Sequence, residues 1–301
     1  MGSSGTPSAE VEVDTSLVRK LLKDQHPDLS ELSLNPHDSG WDNYIFRLGD
    51  ILAVRLPRRK ASAHLILNEQ KWLPQLGATL PIRIPAPIRQ GGPAGTYPWH
   101  WSIVPWIDGT PADEAAVATP HALELGHFLR RLHTPAPEDS PVNPVRGVPL
   151  RQRAPLVEAR ILRHLPEDSA RGRSIRHAWQ QALDASIDLP ATWIHGDLHP
   201  RNILVNGDRI AGIIDWGDLT SGDPATDIAS IWMLFPESPA REAAIAAYST
   251  PDHPLTNATR ERAKGWAILF GLMLLDTGKI DNPRNAALGR RILDTIAADE
   301  A

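Results

Sequence analysis

The stretch TWIHGDLHPRNILVNGDRIAGIIDWGDLTSGDPATD, residues 192–227, limits this chain more than any other. It reads as strand, polar turn, strand, tight turn, strand and acidic loop. Trp193 and Ile194 lead into a turn built by His195 to Asn202, and Ile203, Leu204 and Val205 leave it as a short apolar run. Asn206-Gly207-Asp208 is a strong hairpin signal, Ile210 to Ile214 is the return strand, and Asp215 stands at its end. Asp197, Asn202 and Asp215, groups that take protons or bind hard cations, therefore lie at the mouths of short apolar strands. A carboxylate beside Ile213 and Ile214 is costly without a partner. Magnesium is a natural one, since it prefers oxygen ligands and takes only one or two from protein.

HGDLHPRN, then IIDWGD, then GDPATD resembles the catalytic region of the aminoglycoside/macrolide phosphotransferase family, relatives of protein kinases. The protein-kinase pattern is H-R-D-x-x-x-x-N followed by D-F-G. Asn202 follows Asp197 by the same five residues, and Asp215 takes the place of the D-F-G aspartate. The resemblance implies that Asp197 accepts the proton of the substrate hydroxyl and that Asn202 and Asp215 hold magnesium.

Composition narrows the alternatives. The 301 residues suffice for one large domain or two unequal lobes, with 42% hydrophobic and 22% charged residues, as in ordinary globular chains. The chain has no cysteine, which excludes disulfides, thiolate metal sites and cysteine nucleophiles. A net charge of −5 argues against nucleic acid as the main partner and is compatible with a cationic small substrate. The sequence contains no apolar run of membrane-spanning length and no signal pattern at its start, so the expectation is a cytoplasmic monomer or weak dimer with no membrane partner.

Residues 1–13 read as disordered or extended, and Asp14 and Thr15 as the cap of a helix carrying Leu17, Val18, Leu21 and Leu22. Strands are expected at 32–37, 43–48 and 51–56, with 38–42 as a turn. In the family this meander is a flap whose backbone N–H groups meet phosphate oxygens, which implies nucleotide-binding roles for Ser39 and Gly40. Arg55 stands on the third strand where kinases carry a lysine, and arginine still binds phosphate and carboxylate with two-point geometry. Lys60, a substitute for it, falls in the following loop. A helix is predicted over 62–76 with Leu65, Trp72, Leu73 and Leu76 on one stripe and Glu69 among them. A carboxylate on a core-facing stripe needs a cation, and Arg55 is the predicted partner. Two further strands are expected at 85–90 and 99–105. The resemblance then implies a hinge at which Pro105 offers a C=O and Ile107 an N–H to the purine, with Trp101 and Trp106 available as walls.

The rest of the chain reads as helical: 121–133, 156–165, 174–187, 225–235, 240–248, 257–275 and 283–298. The histidines of the first of these lie off its apolar face and read as solvated. Residues 143–150 border a substrate cleft or serve as a linker. Asp223 and Asp227 read as structural, and Asp276 and Asp281 as surface carboxylates at or beyond a helix end, open to a substrate amine.

The expected fold is α+β, a protein-kinase-like two-lobe fold. Residues 1–105 form the nucleotide-binding lobe, an antiparallel sheet with one key helix, and 106–301 a mostly helical catalytic and substrate-binding lobe. The expected enzyme is a small-molecule kinase using ATP or GTP with Mg2+, and the resemblance implies an aminoglycoside or macrolide substrate. A metabolic kinase acting on choline, homoserine or a sugar amine is the alternative reading, and a nucleotide-binding pseudokinase is a second.

Overall fold

A computed structural model describes residues 8–251 and 254–300. The chain divides into two compact units, with the boundary between Asp108 and Gly109. The expected disorder of residues 1–7 lies outside the described residues. Residues 8–13 are ordered: the Glu10 N–H donates to the Arg58 C=O at 3.0 Å, and Val13 joins the core.

The N-terminal unit opens with helix α1 (Thr15–Gln25), which starts where Asp14 Oδ1 accepts the Leu17 N–H. Its apolar face buries Val18, Leu21 and Leu22, each contributing about 1.5–3 kcal/mol of burial. Strands β1 (Leu34–Ser39), β2 (Asn43–Leu48) and β3 (Leu52–Pro57) follow, then helix α2 (Lys60–Gly77), β4 (Arg89–Gly91) and β5 (Trp101–Pro105). They form one antiparallel five-stranded sheet in the order β1-β2-β3-β5-β4. Strand β1 begins and ends later than predicted, so the turn shrinks to 40–42 and Ser39 becomes a strand residue opposite Tyr44. The strand predicted at 85–90 is reduced to Arg89–Gly91, because Pro85 and Pro87 have no N–H for a ladder. Lys60 is the first residue of α2 rather than part of a loop.

The second unit carries β6 (Thr110–Pro111), α3 (Ala122–Leu132), α4 (Ala154–His164), α5 (Ala170–Asp184), β7 (Thr192–Ile194), β8 (Ile203–Asn206), β9 (Arg209–Ile213) and β10 (Thr220–Gly222). It continues with α6 (Ala225–Ile228), α7 (Ser230–Leu234), α8 (Ser238–Tyr248), α9 (Asn257–Gly278) and α10 (Pro283–Asp299). The helix predicted over 225–235 is two short helices separated at Ala229. Helix α9 also departs from expectation. Trp266, Phe270 and Leu274 read from the sequence as one apolar stripe, yet every residue from Gly265 to Leu272 is buried, so it is a central helix apolar on all sides. Helices α4, α5, α6, α7 and α10 pack around it. Two small sheets, β10-β7 and β6-β8-β9, support the loop at 195–202. No described helix is long and apolar enough to cross a membrane.

Candidate active site

The 195–202 loop is fixed by its own backbone and by two buried side chains. Gly196 has φ 85°, and a Cβ there would lie 2.6 Å from the Asp218 carbonyl oxygen, so only glycine makes this bend. Asp227, fully buried in α6, accepts the His195 N–H at 2.6 Å through Oδ2 and the Gly196 N–H at 2.9 Å through Oδ1. The His195 ring is buried against Trp216. Its Nδ1 accepts the Asp197 N–H at 3.2 Å, which leaves Nε2–H to donate to the Ile214 C=O at 2.9 Å. The imidazole thereby ties the loop to the end of β9.

Asp197 projects from this frame with 20% of its side chain exposed. Asn202 is turned toward it, its Nδ2 donating to the Asp197 C=O at 2.8 Å and lying 3.4 Å from Oδ2. The Asn202 C=O accepts the Ile214 N–H at 2.9 Å, which sets Asp215 beside the same loop. Asp215 has φ 62°, the one described non-glycine residue in the left-handed region. Such a conformation is uncommon outside glycine, asparagine and aspartate, and it is held here by the bonded residues on either side. Asp215 is exposed, so the desolvation argument for a partner fails at this position.

The residues present fit a magnesium ion. The Asn202 amide nitrogen is committed to Asp197, and its oxygen has no hydrogen bond among the described residues. An amide oxygen and an exposed carboxylate match the few protein oxygens magnesium takes. Among the described residues no group of three or more His, Cys, Asp or Glu is arranged to hold a metal.

In the N-terminal unit Arg55 and Glu69 are buried and paired at two points, 2.5 Å and 3.1 Å. The apolar stripe of α2 is rotated from the predicted one: Ile66 is buried while Leu65 and Leu76 are half-buried, and Glu69 is wholly enclosed. The Gly40 N–H donates to the Asn43 C=O at 2.9 Å, and Arg58 donates to the Gly40 C=O at 2.7 Å. Gly40 has an ordinary φ, and a Cβ there would stand 3.7 Å from the Asn43 carbonyl oxygen, an ordinary contact, so the turn does not require glycine. Pro105 ends β5 opposite Leu52, and the Ile107 N–H has no partner among the described residues. Trp101 is not a wall for a ligand. It is fully buried, and its Nε1 donates to the Gly92 C=O at 3.2 Å.

Sequence reasoning missed Arg146. Its guanidinium lies 2.6 Å from Asp197 Oδ1 and 3.1 Å from Asp218 Oδ2. Asn143-Pro144 was the available signal, an Asx-type turn that re-aims the chain within a few residues. His199 was missed as well; its Nε2 lies 3.5 Å from Asp197 Oδ2, and its Nδ1 is buried without a partner among the described residues. Burial pushes the Asp197 carboxyl up, but Arg146, His199, His195 and the Asn202 amide together hold it below the usual carboxylate range. Burial pushes the His199 imidazole down, beyond what the attraction of Asp197 restores. His133 is not solvated: its ring is enclosed, Nδ1 lies 3.1 Å from the Tyr248 hydroxyl and Nε2 3.5 Å from Asp227. Asp276 is not a surface carboxylate either, being buried against Arg160, Arg163 and His164.

The model of the phosphotransferase enzyme family matches residues 33–266. The chain belongs to that family. As a phosphotransferase it is similar to viomycin phosphotransferase of Streptomyces vinaceus, with 27% identity over 237 residues, 75% of this chain and 80% of the relative. A shorter match, 40% over 63 residues, is to the uncharacterized protein YcbJ of Bacillus subtilis strain 168. Among solved structures, the GDP complex of aminoglycoside 2'-phosphotransferase-IIIa superposes with a TM-score of 0.70 at 18% identity, covering 96% of this chain and 100% of that one. Macrolide 2'-phosphotransferase MphH from Brachybacterium faecium superposes with a TM-score of 0.60 at 22% identity, covering 93% and 97%. These likenesses give the phosphotransferase a kinase-like α+β fold, with the antiparallel sheet and helical remainder described above.

Proposed function

We propose that this phosphotransferase moves the γ-phosphoryl group of ATP or GTP to a hydroxyl of a small-molecule antibiotic. The aminoglycoside and macrolide neighbours and the viomycin phosphotransferase relative support that substrate class. The observation that carries the reading is the Asp197–Asn202 contact, with Asp215 fastened to the same loop through the Ile214 N–H.

The acceptor oxygen attacks the γ-phosphorus, the bond from that phosphorus to the β,γ-bridging oxygen breaks, and the nucleoside diphosphate leaves. Asp197 orients the hydroxyl and takes its proton. Asn202 Oδ1 and the Asp215 carboxylate are the protein ligands of magnesium, which when bound neutralises charge on the transferring phosphates. His195 and Asp227 hold the loop in the shape that presents Asp197. In the N-terminal unit, Arg55 steadied by Glu69 is assigned to the donor phosphates, Ser39 and Gly40 to the flap over them, and the Pro105 C=O and Ile107 N–H to the base.

The test is product mass after incubation with viomycin, kanamycin and a macrolide, each with ATP and with GTP, for the wild-type chain and Asp197→Ala. A phosphorylated product that needs Asp197 supports the reading. Full turnover by Asp197→Ala refutes the role of that residue. Transfer to choline, homoserine or an amino sugar, but to none of the antibiotics, replaces the substrate class with a metabolic one. Nucleotide binding with no transfer to any of these acceptors is the pseudokinase outcome.

A further inference from the structure

The proline-rich connection after α3 ends in a built cluster. Asn143 Oδ1 accepts the N–H groups of Val145 and Arg146 at 3.0 and 3.1 Å and bends the chain. The bend is fastened to β10. The Asn143 N–H donates to Thr220 Oγ1 at 3.1 Å, that hydroxyl donates to the Pro141 C=O at 2.7 Å, and the Asp223 N–H donates to the Gly147 C=O at 2.9 Å. Gly147 has φ 66°, and a Cβ on Gly222 would lie 2.5 Å from its Cα, so the two backbones touch here.

The result is an arginine with 10% of its side chain exposed, spanning Asp197 and Asp218 and lying 4.8 Å from the centre of the Phe270 ring. Nη2 and Nε are engaged by the two carboxylates, and Nη1 has no partner among the described residues. The carboxylate oxygens are unequal. Asp218 Oδ1 accepts from Asn143 at 2.8 Å, and Arg146 takes Asp218 Oδ2 and Asp197 Oδ1. Only Asp197 Oδ2 has its partners, Asn202 and His199, at the loose distances of 3.4 and 3.5 Å.

We infer that Arg146 is an acceptor-binding residue that selects a substrate whose reactive hydroxyl is flanked by a second oxygen rather than by an ammonium. This rests on Asp197 being the proton acceptor, as proposed above. The reactive hydroxyl takes the open Asp197 Oδ2. A neighbouring hydroxyl, ether or carbonyl oxygen accepts from Nη1 of the guanidinium that grips the other oxygen. A neighbouring ammonium has no lone pair to offer Nη1, meets like charge, and finds the remaining carboxylate oxygens occupied.

The test uses acceptor pairs that differ only by hydroxyl or amine at the carbon next to the phosphorylated hydroxyl, with product mass locating the phosphate. The wild-type chain is expected to favour the hydroxyl member by about tenfold or more in kcat/KM. Arg146→Gln is expected to lose most of that ratio with the nucleotide KM within about twofold, and Arg146→Lys to fall between. A purely structural role lowers both members equally and leaves the ratio intact, which overturns the inference, as does a wild-type chain without the preference. If Arg146→Gln does not fold, Asn143→Ala loosens the bend while keeping the arginine and is expected to reduce the same ratio; an unchanged ratio overturns the inference. No transfer by the wild-type chain to any acceptor overturns the phosphotransfer reading and this inference with it. Transfer with unaltered selectivity in the variants overturns this inference alone.

Discussion

Arg55 and Glu69 meet at two points, Nη1 2.5 Å from Oε2 and Nη2 3.1 Å from Oε1, with 7% and 1% of their side chains exposed. Burying this pair makes each partner dependent on the other. Removing one leaves an uncompensated charge, at a cost of about 3–5 kcal/mol. Glu69→Leu is therefore expected to destabilise the fold by that amount, read by denaturant unfolding. The double variant Arg55→Met with Glu69→Leu is expected to recover most of the stability while the nucleotide KM stays high. A double variant with wild-type nucleotide KM would show that the pair only holds the sheet to α2.

Asp227→Asn tests the brace under the candidate catalytic loop. The carboxylate receives two consecutive N–H groups, and an amide supplies a single oxygen in its place. One buried N–H is then orphaned at a cost of about 1–3 kcal/mol. Unfolding at lower denaturant and a fall in kcat larger than any rise in KM are expected, because the loop that presents Asp197 loosens. Unchanged kcat at reduced stability would separate the brace from catalysis.

Asp215 invites a metal titration. Asn tolerates the left-handed backbone at this position, so Asp215→Asn keeps the bend and removes the charge. The magnesium concentration giving half-maximal rate is expected to rise by about tenfold or more, while thermal stability stays close to wild type. An unchanged magnesium dependence would remove Asp215 from the metal.

Asp276 carries a pH signature. Burial pushes its carboxyl up, but the hydrogen bonds from His164, Arg163 and Arg160 outweigh that and set its pKa at about 2, below the ordinary 3.8. A depressed carboxyl contributes stability above its unfolded value and loses it as the pH falls through the folded one. The loss is expected between about pH 4 and pH 2. Asp276→Asn is expected to be less stable at pH 7 and to show a flatter dependence across that window. A wild-type slope in the variant would place the acid sensitivity elsewhere.

Much of the scaffold was legible because short-range physics decides it. The Asp14 cap, the strand over Asn43–Leu48 and the Asn206-Gly207-Asp208 turn each resolve within a few residues, and each lies where the sequence puts it. The errors fall where tertiary contact overrides local pattern. Proline removed most of one predicted strand, and a break at Ala229 split one predicted helix. Helix α9 reads as one-sided from Trp266, Phe270 and Leu274, but the residues between them are apolar too and pack on every face. The same enclosure turned Asp276 from a surface carboxylate into a buried ion-pair centre.

The sequence by itself determined the order and spacing of Asp197, Asn202 and Asp215, the sheet strand that carries Arg55 and the helix that carries Glu69. Chain connectivity fixes such features before anything folds. Tertiary structure alone decided that Arg146, 51 residues before Asp197, would lie 2.6 Å from its carboxylate, that His133 would be enclosed beside Asp227, and that Asp215 would be exposed. Contacts between residues distant in the chain depend on how loops close and which faces pack, and no periodicity within a single element encodes that.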